Sequence, residues 1–173
     1  MKHYFSKNGQ AITIREAEES DAEAITSVVD SVASEKYYIV GERSRKDWDE
    51  AIREIKKRNS LIIVAQVNQR TVGMASLVRG KFEKNKHVGF LGITILKDFR
   101  GVGIGNAMMK YIAEWTKLQE ALEKISLTVF STNKPAIELY KKFGFKIEGV
   151  SKKQYRIEET YVDDVIMAKF LDK

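Results

Sequence analysis

The sequence predicts an α/β (α+β) fold: one mixed, mostly antiparallel sheet of seven strands flanked by about four helices. Three observations carry this reading. Segments with alternating apolar residues are interleaved with segments whose apolar residues recur at helical spacing. Two neighbouring β-rich runs are joined by a two-residue turn, which signals an antiparallel hairpin. A further strand runs straight into a glycine-rich turn and an amphipathic helix. The 173 residues suit a single domain, 1–173 with its core over about 11–170, and can bury roughly 70% of their unfolded surface.

In chain order, Ile12 and Ile14 alternate with polar neighbours and mark a short half-buried strand. Ser20 followed by Glu23 has capping-box spacing, and Ile25, Val28, Val29 and Val32 then recur at helical spacing. Glu35 to Arg43, with Tyr37, Tyr38 and Gly41, lacks periodicity and reads as a loop. Ser44 with Asp47 can cap a second helix whose apolar face is Trp48, Ile52 and Ile55. Leu61–Val67 and Thr71–Val78 are strands joined by a turn at Asn68-Gln69. Gly80–Lys86 is a charged loop, and His87–Leu96 is the fourth strand. The next helix carries Ile104, Ala107, Met108, Tyr111, Ile112 and Trp115 on one stripe. Ile125, Leu127 and Val129 alternate as the fifth strand. Pro135 opens a helix with Ala136, Leu139 and Tyr140, and Gly144 suits its C′ position. Phe145–Ile147 and Tyr161–Phe170 read as the last strands.

Composition removes several function classes. There is no Cys, which excludes disulfides, thiolate clusters and a cysteine nucleophile. Two His, His3 and His87, leave little for a metal site, and none is expected. No apolar run approaches membrane-spanning length, and Met1–Gln10 lacks a secretory signal, so a cytoplasmic protein with no membrane partner is expected. The net charge is +6. Residues 70–110 hold Arg70, Arg79, Lys81, Lys84, Lys86, Lys97, Arg100 and Lys110 against Glu83 and Asp98, so that stretch alone carries the excess. Only Phe82 interleaves with its Arg79–Lys86 cluster, which disfavours nucleic acid and leaves a solvated surface or a site for a small polyanion.

The polyanion has a candidate seat. Arg100-Gly101-Val102-Gly103-Ile104-Gly105 lies between the fourth strand and its helix. Successive glycines allow close backbone approach, and a helix start offers free N–H groups and a positive dipole end. A dinucleotide fingerprint would need glycine where Asn106 stands, and no Lys-Ser/Thr pair completes a P-loop.

At this point the chain resembles the GNAT superfamily of N-acetyltransferases. Arg100-x-x-Gly103-x-Gly105 matches the family's pyrophosphate loop, and Asn133 to Phe145 (NKPAIELYKKFGF) resembles its N-x-x-A-x-x-L-Y-x-x-x-G-F segment. Glu148-Gly149 and Tyr161-Val162-Asp163-Asp164 through Met167 resemble a bacterial subgroup acting on amino acids, small amines or protein N-termini.

The resemblance implies an acyltransferase that uses acetyl-CoA as co-substrate. It moves an acetyl group by direct attack of a primary amine, borne by a small molecule, an amino acid or a peptide N-terminus. It also implies a cleft where the fourth strand splays from the fifth. The pyrophosphate would lie on Gly101, Val102, Gly103, Ile104, Gly105 and Asn106, and the pantetheine arm on the backbone of Ile93, Thr94 and Ile95. Arg100 contacts phosphate or shapes the turn, and Asn133 bonds the coenzyme, caps the helix, or does both. Tyr140 is the implied proton donor. The positions where many members carry a basic Glu hold Phe90 and Thr128, so Glu35, Glu42, His87, Asp163, Asp164 or a water chain serves, or the acceptor amine is already partly neutral. Tyr37, Tyr38 and Trp48 line the acceptor pocket or pack beneath it. A homodimer is in keeping with the family, and a non-catalytic acyl-CoA-binding module is the alternative.

Overall fold

The computed structural model describes residues 1–36, 38 and 47–171. Tyr37, Gly41, Glu42, Arg43 and Ser44 lie outside the described residues. The elements are β1 (Lys2–Phe5), β2 (Ala11–Glu16), α1 (Ala22–Ala33), α2 (Trp48–Lys57), β3 (Leu61–Val67), β4 (Arg70–Arg79), β5 (Val88–Ile95), α3 (Ile104–Thr116), β6 (Lys124–Phe130), α4 (Lys134–Lys142), β7 (Lys146–Ile157) and β8 (Thr160–Phe170). The strands form one sheet in the order β1-β2-β3-β4-β5-β6-β8-β7. Every adjacent pair is antiparallel except β5 and β6.

The sheet has eight strands rather than seven. The extra one, β1, is short and mostly exposed, so its four residues carry no apolar alternation. β7 runs to Ile157, well past the expected Ile147, because no residue of this edge strand is buried and no hydrophobic pattern marks it. The β3–β4 hairpin forms as expected. Asn68 and Gln69 both take positive φ (48° and 64°), the geometry that matches the twist of paired strands.

Helix ends show where local signals hold. The Ser20–Glu23 capping box does not form. Instead a short 3-10 turn, Glu19–Asp21, precedes α1, and Asp21 closes a box on that turn, its Oδ2 accepting the Glu18 amide at 2.8 Å. Asp21 also holds Arg15 through two bonds of 2.7 Å, so a tertiary ion pair selects this carboxylate over the Ser20 hydroxyl. At α2, Asp47 is itself the N-cap and accepts the Glu50 amide. α4 ends as expected: Gly144 has φ 89°, its amide bonds Lys141 O, and the Phe145 amide bonds Tyr140 O, a Schellman closure.

Alternate residues of the central strands face two cores. Ile12, Ile14, Leu61, Ile63, Leu127 and Met167 join Met108 and Ile112 of α3 and Tyr140 of α4. On the other face, Ile62, Val64 and Met74 meet Ile25 of α1 and Ile52 and Ile55 of α2. Trp48 packs against this second core and does not line the cleft described below.

Candidate active site

The site begins with a failure of pairing. β5 and β6 align only over Val88–Phe90 and Lys124–Ser126. Beyond that they separate, leaving backbone groups that would otherwise be laddered. Leu96 N bonds Val72 O and Gly80 N bonds Val88 O, so even-numbered residues of β5 turn their amides and carbonyls to β4. Leu91, Ile93 and Ile95 therefore turn theirs toward β6. By the same argument, Ser131 N to Asp163 O and Leu171 N to Glu123 O turn the backbones of Ser126, Thr128 and Phe130 toward β5. A cleft of about 920 Å³ opens here, lined by both strands, the N-termini of α3 and α4, and the N-terminal segment.

This geometry sorts the three expected β5 residues. Ile93 presents its backbone to the cleft. Ile95 does too, but its carbonyl accepts Arg100 Nε at 2.8 Å. Thr94 departs from the expectation: it lines the cleft, but its amide and carbonyl belong to the β4 ladder opposite Met74.

The glycine turn forms the far wall. Gly101 and Gly103 have φ 76° and 109°, and a Cβ on Gly101 would meet nothing within 4 Å. A Cβ on Gly105 would meet Leu139 Cδ2 at 3.0 Å, so glycine here lets α3 approach α4. The first backbone bond of α3 runs from Ala107 N to Gly103 O, which leaves the amides of Ile104, Gly105 and Asn106 without helical acceptors. Val102 and Ile104 turn their side chains to the core, and Val102 O accepts Lys7 N at 2.8 Å. Gly101, Gly103, Gly105 and Asn106 line the cleft. Exposed amides at a dipole-positive helix start, with room for a ligand above Gly101, fit a pyrophosphate.

Arg100 binds protein. Its Nη1 and Nη2 donate to Glu35 at 2.8 and 2.6 Å, and Tyr38 lies over the guanidinium at 4.1 Å. All three donor nitrogens are engaged, so Arg100 shapes the turn and ties it to the end of α1. Glu35, thus paired, is no free base.

Tyr140 sits on α4, 6% exposed, with its ring 5.7 Å from that of Phe145. Burial pushes its phenol up to about 12, so it stays protonated at neutral pH. Among the described residues it has no hydrogen-bond partner, and it lines the cleft. Asn133 caps α4, its Oδ1 accepting the Ala136 amide at 3.3 Å.

The remaining titratable side chains fall on different sides of the site, and so do the positions expected to hold a Glu. His87 lies beyond the start of β5, away from the cleft, and Phe90 is half exposed and outside it. Asp163 accepts the Lys153 amide and Lys152 Nζ, in that order the main reasons its carboxyl titrates low. Asp164 is 7% exposed and lines the cleft beside Thr128. Burial raises its pKa, while the Thr128 and Tyr155 hydroxyls oppose that by favouring the charged form. Glu42 lies outside the described residues.

The basic excess of residues 70–110 does not gather at the cleft. Of the eight cations in 70–110, only Arg100 and Lys110 line the cleft. Lys81, Lys84 and Lys86 sit at the opposite end of β5, about 25 Å of extended chain from the glycine turn. Lys7 and Lys142, far away in sequence, come to the cleft instead, with Lys142 Nζ on Asn106 Oδ1 at 3.0 Å. Tyr4, Phe5 and Ser6 also line it. The sequence offered no signal for these, because β1 lacks an apolar pattern.

The sequence model of the Acetyltransferase (GNAT) family matches residues 23–145, a range that holds β5, the glycine turn, β6 and α4. The chain belongs to the GNAT family. It is 32% identical over 162 residues to the L-amino acid N-acetyltransferase AaaT of Escherichia coli (strain K12), covering 91% of this chain and 97% of that protein. Among solved structures, a GNAT-family acetyltransferase from Streptococcus pneumoniae superposes with TM-score 0.87 and 26% identity, covering 93% of this chain and 99% of that one. YncA from Salmonella typhimurium, a putative acetyltransferase whose structure holds acetyl-CoA, has the same fold at TM-score 0.86 and 18% identity, covering 94% and 95%. This GNAT chain is thus an N-acetyltransferase by family. Among its described residues no helix is long and apolar enough to cross a membrane.

Proposed function

We propose that this GNAT chain uses acetyl-CoA to acetylate a primary amine directly, with an amino acid, a small amine or a peptide N-terminus as acceptor. The observation that carries the reading is the splay of β5 from β6 into the same cleft that the uncapped amides of α3 line. The AaaT relative, an L-amino acid N-acetyltransferase, supports amino acids as the first acceptors to test.

Acetyl-CoA supplies an acetyl thioester. The amides of Gly101 to Asn106 hold the pyrophosphate, and Lys7, Lys110 and Lys142 face the phosphates from the rim. The free backbone of Ile93 accepts the extended arm as a strand would, and its amide offers a donor for charge developing on the acyl oxygen. Arg100 positions the turn through Glu35 and Ile95. Tyr140 donates to the leaving sulfur. No cysteine exists to carry the acetyl group, which favours attack by the amine itself.

The test is release of free thiol from acetyl-CoA against a panel of L-amino acids, short peptides with free N-termini, and monoamines. Acceptor-dependent thiol release with a matching acetylated product is expected. Tight acetyl-CoA binding without turnover on any amine would instead identify a non-catalytic acyl-CoA-binding module.

A further inference from the structure

We propose that Asp164 receives the acceptor's ammonium group and takes its proton, so that the working carboxylate of this chain comes from β8. The proposal rests on the acetyltransferase reading above.

Asp164 stands apart from every other carboxylate described. It is 7% exposed, yet it lines the cleft. Among the described residues no Lys, Arg or His forms an ion pair with it, whereas its neighbour Asp163 binds Lys152. A carboxylate kept from water with no counter-charge is costly to the fold, and its side chain could be an amide at no loss of shape. A ligand bearing an ammonium would supply the missing charge.

The register places it for chemistry. Asp164 lies opposite Phe130, and Ile166 opposite Thr128, so Asp164 and Thr128 share one face of the sheet. The odd-numbered neighbours Leu127, Val129, Val165 and Met167 belong to the core that also holds Tyr140. The carboxylate and the phenol therefore approach the gap between β5 and β6 from opposite faces. An amine entering on the Asp164 side meets the base first, and the leaving sulfur lies toward Tyr140. Thr128 occupies the β6 position for which the family resemblance implies a Glu. Its hydroxyl faces Asp164, so the charge has moved one strand across, with Thr128 as its support.

Asp164 accepts one proton from the ammonium, breaking an N–H bond and forming O–H. The freed nitrogen pair forms the C–N bond as the C–S bond breaks with its pair on sulfur. The second nitrogen proton and the one held by Asp164 leave to solvent, and the thiolate departs with a hydrogen bond from the Tyr140 phenol. Around Asp164, β7 contributes Tyr155, and β6 contributes the uncharged Thr128 and Phe130. Lys152 pairs with Asp163, and Lys153 lies over the Tyr161 ring.

The experiment compares wild type, Asp164→Asn and Thr128→Val in thiol release with the same amine panel between about pH 5.5 and 9.5, beside acetyl-CoA calorimetry and thermal melts. Asp164→Asn is expected to lower kcat roughly 100-fold while binding acetyl-CoA within about threefold of wild type. It should also melt higher at alkaline pH, since a raised folded pKa means that stability falls as the buried carboxyl ionises. Thr128→Val removes a hydroxyl that favours the charge, so the acidic limb of kcat/KM should move to higher pH. An Asp164→Asn enzyme of near wild-type rate, with the same acidic limb, overturns the proposal and leaves the acetyltransferase reading intact. If Asp164→Asn does not fold, an unmoved limb in Thr128→Val overturns it. Wild type that binds acetyl-CoA yet acetylates no amine overturns both.

Discussion

Tyr140→Phe separates packing from chemistry. The ring is 6% exposed and tilts against Phe145 at 5.7 Å, and phenylalanine keeps both features. The hydroxyl bonds nothing in the described protein, so its removal should leave stability unchanged or raise it by up to about 1 kcal/mol. Burial holds the phenol at about 12. A thiol titrates near 8.5, so full proton transfer from Tyr140 to a thiolate is uphill by roughly 5 kcal/mol. The phenol must therefore act chiefly as a hydrogen-bond donor to developing charge, worth about 1.5–3 kcal/mol. That corresponds to a loss of roughly 10- to 150-fold in kcat. Steady-state thiol release, acetyl-CoA calorimetry and a melting curve measure all three quantities. Wild type should also show no alkaline limb from Tyr140 below about pH 10. Full activity in Tyr140→Phe would refute the donor role. A destabilised variant that no longer binds acetyl-CoA would show instead that the hydroxyl is structural.

Three further perturbations address the frame of the site. Arg100→Lys keeps the charge but loses the fork that holds Glu35 and Ile95 O; calorimetry should show acetyl-CoA affinity falling by roughly 1 kcal/mol, because the turn loses its brace. Gly103→Ala has room for its methyl group but not the backbone freedom for φ 109°, so about 1–3 kcal/mol of strain should appear in denaturant unfolding and in weaker acetyl-CoA binding. Asp21→Asn should cost roughly 2 kcal/mol at neutral pH. Although burial works against its charge, Arg15 and the Glu18 amide hold the Asp21 carboxyl below its ordinary range. Its contribution is therefore present above the unfolded carboxyl pKa and is lost as pH falls through the folded one, so wild type and variant should converge in acid melts.

What could be read from the chain was what is encoded over a few residues. Strand alternation, the Asn68-Gln69 turn, the α4 cap at Asn133 and the Gly144 closure depend on neighbours within one turn or one hairpin. The glycine turn is legible because backbone geometry and helix polarity are local properties. Where two local signals competed, as at Ser20 and Asp21, a partner from another element decided: Arg15 lies on β2. β1 and most of β7 went unread because edge strands need no apolar pattern.

The sequence by itself determined the fold class, the family resemblance and the presence of an anion cradle, since each follows from spacing along the chain. Tertiary structure decided which charges face that cradle. Charges close in sequence were carried away along β5, while Lys7 and Lys142 were brought in by the fold. It also decided between the adjacent Asp163 and Asp164. Successive side chains of a strand point to opposite faces, so one meets Lys152 and the other is buried in the cleft. Composition cannot make that choice; the register of β8 against β6 does.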